Sequence, residues 1–341
     1  MVRKILVTGS SGFIGGYVVQ DLLDNGWEVA GLDNYSKYGP VTKSYDTHPR
    51  YQFHKGDAKD AALMKTLLAD CDYLLAGAAM IGGISYFHEF AYDLLAENER
   101  IMASTFDAAI HAFKKNRLKK IVVLSSSMVF ESTTEFPTPE GAELRSPPPM
   151  SSYGFQKLAC EYYARAAHSQ YGLPYTILRP FNCVGIGEQR ALSDKVVMSG
   201  NVRLAMSHVV PDLVQKVLKG QDPLHILGSG SQLRHYTYGA DLARGIRIAI
   251  DHPAAVNDDF NLSTPVATTV LELAELIWKK IKPDRPFRYV SDDPFKYDVQ
   301  KRTPDVSKAT KRLGYSATAS LSTVLDELIP WISQQITLGN I

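Results

Sequence analysis

The stretch "VTGSSGFIGGYV", residues 7–18, comes after only six residues, "MVRKIL", and its reading decides the fold. Apolar residues precede it, glycines punctuate it at Gly9, Gly12 and Gly15, and an amphipathic pattern runs from about Ile14 to Asn25. That order predicts a strand, a tight turn and a helix that starts in the turn. Gly9 permits the turn, Gly12 lets the backbone approach a pyrophosphate, and Gly15 lets the helix lie close to the strand. The free N–H groups at the helix start then face an anion. The spacing is G-x-x-G-x-x-G, and turns use glycine for other reasons too, so the triplet acquires meaning only from its surroundings.

Those surroundings are consistent with it. "WEVAGLD" reads as the second strand and ends in Asp33, 18 residues after Gly15. A carboxylate there accepts hydrogen bonds from adenosine ribose hydroxyls and repels a 2′-phosphate. No arginine follows directly, although Lys37 is near, so NAD is expected rather than NADP. Strand and helix keep alternating through "YQFHKGD", a helix from about Ala58, "DYLLAGAA", a helix from Asp93 to Lys115, "KKIVVLSSS", a helix from Tyr153 to Tyr171, and "PYTILRP". Strands rich in Val, Ile and Leu on both faces imply a doubly wound parallel sheet with right-handed crossovers.

After Pro180 the rhythm changes, and "FNCVGIGEQRALSDKVVMSGN" shows no clear period. Helical patterns at 211–219, 241–250 and 270–280, with a short strand in "LHILG", define a second, smaller α/β lobe. The expected organisation is a Rossmann domain over 1–180 with a return segment near 236–262, and a substrate lobe over 181–341.

Lys plus Arg total 37 against 36 Asp plus Glu, so the net charge of +1 offers no broad field for nucleic acid or an anionic membrane. The basic run "KKNRLKK" (114–120) reads as a solvated turn complementing a helix C-terminus. Cys71, Cys160 and Cys183 show no CxxC pairing and no metal-ligand spacing, so no metal site is expected. No apolar run approaches the ~20 residues of a membrane helix, and no leader pattern precedes the first strand; a cytoplasmic protein is expected.

"YGFQK" places Tyr153 and Lys157 four residues apart, one turn from each other on one helix face. An ammonium beside a phenol favours the phenolate, which makes a tyrosine a usable base near neutral pH. "VVLSSSMVF" ends a strand in Ser125, Ser126 and Ser127, at the sheet edge where doubly wound folds bind ligands. Each pattern alone is common, the first as a surface pair and the second as a turn.

Together, and in this order, "TGSSGFIG", Asp33, "GDAKD", "AGAA", "SSSMVF", "YGFQK", "LRPFNCVG", "LRHYTYGADLA" and "RTPDVSKATKRLGY" resemble the extended short-chain dehydrogenase/reductases. The likeness is to their NAD-dependent nucleotide-sugar epimerase/dehydratase group, over nearly the whole chain. It implies Ser126, Tyr153 and Lys157 as the catalytic set. It implies a cofactor site of Gly9, Gly12, Phe13, Ile14, Gly15, Asp33, Asn34, Asp57, Ala58, Ala76, Gly77, Ala78 and Pro180, together with Tyr153 and Lys157. Gly82, Gly83, Ser127, Met128, Asn182, Leu224, Arg234 and Arg302 would meet the nucleotide-diphosphate sugar, the two arginines holding its diphosphate. The resemblance also implies a homodimer paired through the helices at 93–115 and 153–171.

Members that dehydrate or decarboxylate carry an acidic residue just after the catalytic Ser/Thr, where this chain has Ser127 and Met128. A methionine cannot remove a C5 proton, so C4 epimerisation through a transient 4-keto sugar is the expected reaction. "AAMIGGISYFH" (78–88) resembles instead the Gly-Gly loop of 3,5-epimerases and reductases acting on GDP-sugars, which keeps that chemistry open, with His88 as its candidate acid or base. Phe130 and His235 are further departures, from tyrosine and aspartate respectively.

Overall fold

In a computed structural model, residues 2–81, 90–189, 191–192, 197–204, 208–293 and 299–341 are described. The apolar segments form β1 (Lys4–Thr8), β2 (Glu28–Asp33), β3 (Tyr51–Lys55), β4 (Tyr73–Ala76), β5 (Lys120–Leu124) and β6 (Tyr175–Pro180). A seventh strand, β7 (Asp258–Leu262), returns from the second half of the chain. They make one parallel sheet ordered β7-β6-β5-β4-β1-β2-β3. The order reverses between β1 and β4, the switch point at which such sheets open a crevice for a ligand.

Helices cover both faces because β1, β5 and their neighbours are apolar on both sides. On one face α1 (Phe13–Asp24) packs against α6 (Gly239–Asp251), burying Val18, Leu22, Leu242 and Ile246. On the other lie α2 (Ala61–Leu67), α3 (Ala91–Lys114) and α4 (Ser152–Tyr171), burying Met64, Phe106, Ala109 and Ala164. The helix starts follow local chemistry. Asp60 caps α2 and Ser151 caps α4 by accepting backbone N–H bonds, and Gly172 ends α4 in the left-handed region at φ +74°.

A separate apolar cluster joins α5 (Val209–Leu218), α7 (Val270–Ile281) and α9 (Leu321–Thr337), with Trp278 and Leu224 fully buried in it. Between α7 and α9 the chain forms the short helix α8 (Ser307–Leu313). Thr269 starts α7 through a capping box with Glu272. Short α8 shows little periodicity in sequence, and Pro330 inside α9 interrupts its helical pattern.

Parallel register brings the carboxyl ends of the strands to one edge. Thr8 stands opposite Leu32 on one side and Ala76 on the other, and Leu124 stands opposite Leu178. Gly9, Asp33, Gly77 and Ser125 therefore emerge side by side.

Candidate active site

The glycine turn is built so that side chains are excluded from it. Gly9 has φ +76°, the left-handed region. A Cβ on Gly15 would lie 2.1 Å from the Gly9 carbonyl oxygen, and one on Gly77 would lie 2.8 Å from that of Thr8. Gly12 caps α1 without a side-chain bond, and no acidic residue occupies the first turn, so the N–H groups at Phe13 and Ile14 present a positive helix end to the crevice. Thr8 Oγ1 accepts the N–H groups of Gly77 and Ala78, each at 3.1 Å, and so locks the two sides of the switch point together.

Asp33 ends β2 with its carboxylate accepting the N–H of Ser11 at 3.0 Å and of Tyr35 at 2.8 Å. It is only half-buried, which leaves lone pairs for ribose hydroxyls. Asn34 Nδ2 donates to Asp57 Oδ2 at 3.2 Å, placing these two at one end of the crevice, and Ala58 is buried behind them. Glycines where a Cβ would collide, an open helix start and a carboxylate at the second strand end fit a bound dinucleotide.

At the centre of the edge, Tyr153 and Lys157 sit in the first turns of α4, both buried. Lys157 Nζ donates to the Leu124 carbonyl at 2.9 Å and lies 6.0 Å from the centre of the Tyr153 ring. The anchor on Leu124, the last residue of β5, ties the ammonium to the strand that delivers the serines. Ser126 Oγ accepts the Met128 N–H at 3.2 Å, so its own hydrogen is left to donate elsewhere. Met128 packs with Leu94 and Tyr153 in a small apolar cluster joined by Met80 and Ile81.

The candidate substrate residues converge from three segments. Leu233 N–H donates to the Gln300 carbonyl at 2.9 Å and Arg302 N–H to the Leu233 carbonyl at 3.3 Å, which sets Arg234 and Arg302 on adjacent segments joined by an isolated bridge. Ser127, Phe181 and Arg302 line one cavity. Asn182, next to Phe181, adopts φ +36°, and its buried Nδ2 has no hydrogen-bond partner among the described residues. A buried amide donor without a partner is costly unless a ligand supplies one.

Other candidates stand apart from this convergence. Leu224 and Ile226 are buried in the small-lobe core, so they back a wall and do not line it. Gly82, Gly83 and His88 lie outside the described residues. His235 Nδ1 is 2.9 Å from the Thr264 carbonyl, and burial lowers the pKa of its ring, which keeps it neutral. Pro180 ends β6 beside β7, while the adjacent Arg179 turns into the protein. Its guanidinium is wholly buried, bonded to both Glu161 oxygens at 2.7 Å, to Asp259 at 2.6 Å and to Glu143 at 2.9 Å.

Two polar residues that the motifs do not mark hold this framework. Asn98, on the buried face of α3, accepts the Met80 N–H at 2.6 Å and donates to the Met80 carbonyl at 2.9 Å. Glu161 accepts the Ser125 hydroxyl at 2.6 Å. Among the described residues, no group of His, Cys, Asp or Glu could hold a metal, and no helix is long and apolar enough to cross a membrane.

This crevice, with its glycine turn, Asp33 and the Ser/Tyr/Lys cluster, defines a nucleotide-dependent enzyme of the doubly wound class. The chain belongs to the NAD dependent epimerase/dehydratase family, whose model matches residues 5–263. NAD is accordingly its cofactor. A UDP-glucose 4-epimerase from Thermotoga maritima, solved with UDP-glucose, is similar at 28% identity and a TM-score of 0.81, covering 98% of this chain and 100% of its own. A UDP-glucuronic acid 4-epimerase from Bacillus cereus, solved with UDP-glucuronic acid and NAD, also has a TM-score of 0.81 at 26% identity, over 97% of this chain and 99% of its own. A putative UDP-glucose 4-epimerase from Methanocaldococcus jannaschii is 27% identical over 96% of this chain and 98% of its own.

Proposed function

We propose that this protein interconverts the C4 epimers of a UDP-sugar through a 4-keto sugar. The observation that carries the reading is that Met128, not a carboxylate, packs against Tyr153, with Ser126 bonded to the Met128 N–H and Lys157 to the Leu124 carbonyl. Removal of a carbon-bound proton at C5 needs a base, and C4 epimerisation needs none beyond the group that handles the hydroxyl proton. The UDP-sugars held by two of the similar structures support UDP as the nucleotide.

The chemistry that NAD would supply at this site is reversible hydride acceptance at C4, with hydride returned to the opposite face of the sugar, so that no cofactor would be consumed. Tyr153 receives the proton of the 4-hydroxyl and gives it back. Lys157, with one N–H held by Leu124, has its remaining N–H groups to offer the phenol and a bound cofactor. Ser126 donates its hydroxyl hydrogen to the 4-oxygen. Arg234 and Arg302 hold the diphosphate with charge-assisted bonds, and the Asn182 amide finds its acceptor there. Gly9, Gly12 and Gly15 would hold the dinucleotide pyrophosphate, and Asp33 its ribose.

A homodimer belongs to the same reading: Phe155 and Tyr162, two turns apart on α4, and Tyr92 on α3 are exposed aromatic side chains on helices that pack together. Purified protein incubated with UDP-, GDP-, dTDP- and CDP-sugars should convert a UDP-sugar into its C4 epimer without added reductant. Accumulation of a keto sugar, or a product altered at C3 or C5, would contradict the proposal.

A further inference from the structure

The serines and the Tyr153 helix come from separate stretches of chain, so something must hold one against the other. The serine turn ends at Glu131, whose N–H donates to the Met128 carbonyl at 3.1 Å. Its Oε2 accepts two bonds from a single residue across the gap, the Ser151 N–H at 3.1 Å and the Ser151 hydroxyl at 2.7 Å. Ser151 is the N-cap of α4, its Oγ accepting the Gly154 N–H at 3.0 Å. Beside this, Ser132 Oγ donates to the Pro148 carbonyl at 3.1 Å, a second stitch between the same two segments. The approach is close enough that a Cβ on Gly154 would lie 2.8 Å from the Met128 carbonyl oxygen and 2.9 Å from Glu131 Oε2.

We propose that Glu131 is a positioning residue for the reaction: its carboxylate clamps Ser151, and with it the helix turn bearing Tyr153 and Lys157, against the turn bearing Ser126. An ionised carboxylate is suited to this because a charged acceptor strengthens both bonds at once. It acts through Ser151, and no proton transfer is assigned to it. An amide oxygen at the same place can accept the same two bonds, whereas a methyl group cannot.

The kinetic part of the proposal rests on C4 epimerisation as the reaction, and the clamp itself is measurable without substrate. Glu131→Ala should lower kcat on the UDP-sugar that wild type turns over by about 10- to 100-fold, leaving KM within about threefold, because misplacing a catalytic group costs rate more than binding. NAD content should be unchanged, and amide exchange in peptides spanning 150–158 should quicken. Glu131→Gln should restore kcat to within about threefold of wild type and restore slow exchange. Ser151→Ala, which opens the clamp from the other side and serves if Glu131→Ala does not fold, should lower kcat in the same direction. The double variant should be no worse than the poorer single one.

Glu131→Gln as inactive as Glu131→Ala would overturn positioning in favour of proton transfer by Glu131. Full kcat and unaltered exchange in Glu131→Ala would overturn the clamp. If wild type turns over no UDP-sugar, the functional reading fails, and the exchange experiment still decides the clamp.

Discussion

In the proposed mechanism, Tyr153 moves a proton and Lys157 positions the phenol that carries it. Tyr153→Phe removes only the hydroxyl, so turnover should drop by roughly 10²- to 10⁴-fold while bound NAD, measured after denaturation, stays at the wild-type level. Retained turnover would remove Tyr153 from the mechanism. Gly15 tests the other half of the crevice, since any side chain meets the Gly9 carbonyl at 2.1 Å. Gly15→Ala should release NAD and lower the melting temperature; unchanged NAD content would show that the turn can shift. These residues were legible because each announces itself locally, as a glycine spacing, a strand-terminal aspartate or a Y-x-x-x-K turn. Asn98 and Glu131 were not, because their partners, Met80 and Ser151, lie 18 and 20 positions away and no local pattern encodes such a contact.

At the scale of elements, the carboxyl end of β6, the amino end of β7 and the middle of α4 are joined by the Arg179 ion network. Burial alone would raise the Asp259 carboxyl, but Arg179 and Lys308 beside it hold it well below the ordinary carboxylate range. In the unfolded chain an aspartate titrates near about pH 3.9, so as pH falls the unfolded state takes up the proton first. The stabilisation is therefore complete above about pH 4 and is lost below it, toward the folded-state value. Melting temperatures followed from pH 7 down to pH 3 should fall more gently for Asp259→Asn than for wild type; parallel curves would mean that the network contributes nothing to acid stability. The strand and helix order was readable here from apolar runs alone. The pairing of Arg179 with Glu143, Glu161 and Asp259 was not, because "LRP" says nothing of which way the guanidinium turns. The helix α9 was hidden by Pro330 within it.

For the whole molecule, the proposed assembly and the proposed chemistry can each fail alone. Light scattering at micromolar concentration should give twice the chain mass, and Phe155→Glu with Tyr162→Glu, which puts like charges on the exposed face of α4, should give one chain mass with the fold retained. A dimer that survives both substitutions would place its interface elsewhere.

The central claim is that hydride alone changes configuration at C4 and that no carbon-bound proton exchanges with water. The most direct test is turnover of the accepted UDP-sugar in deuterated water, read by proton NMR at every ring carbon. The account predicts a C4 epimer with no deuterium at any carbon. Deuterium at C3 or C5 would contradict it, showing carbanion chemistry and a carbon-directed base that the C4 mechanism does not contain.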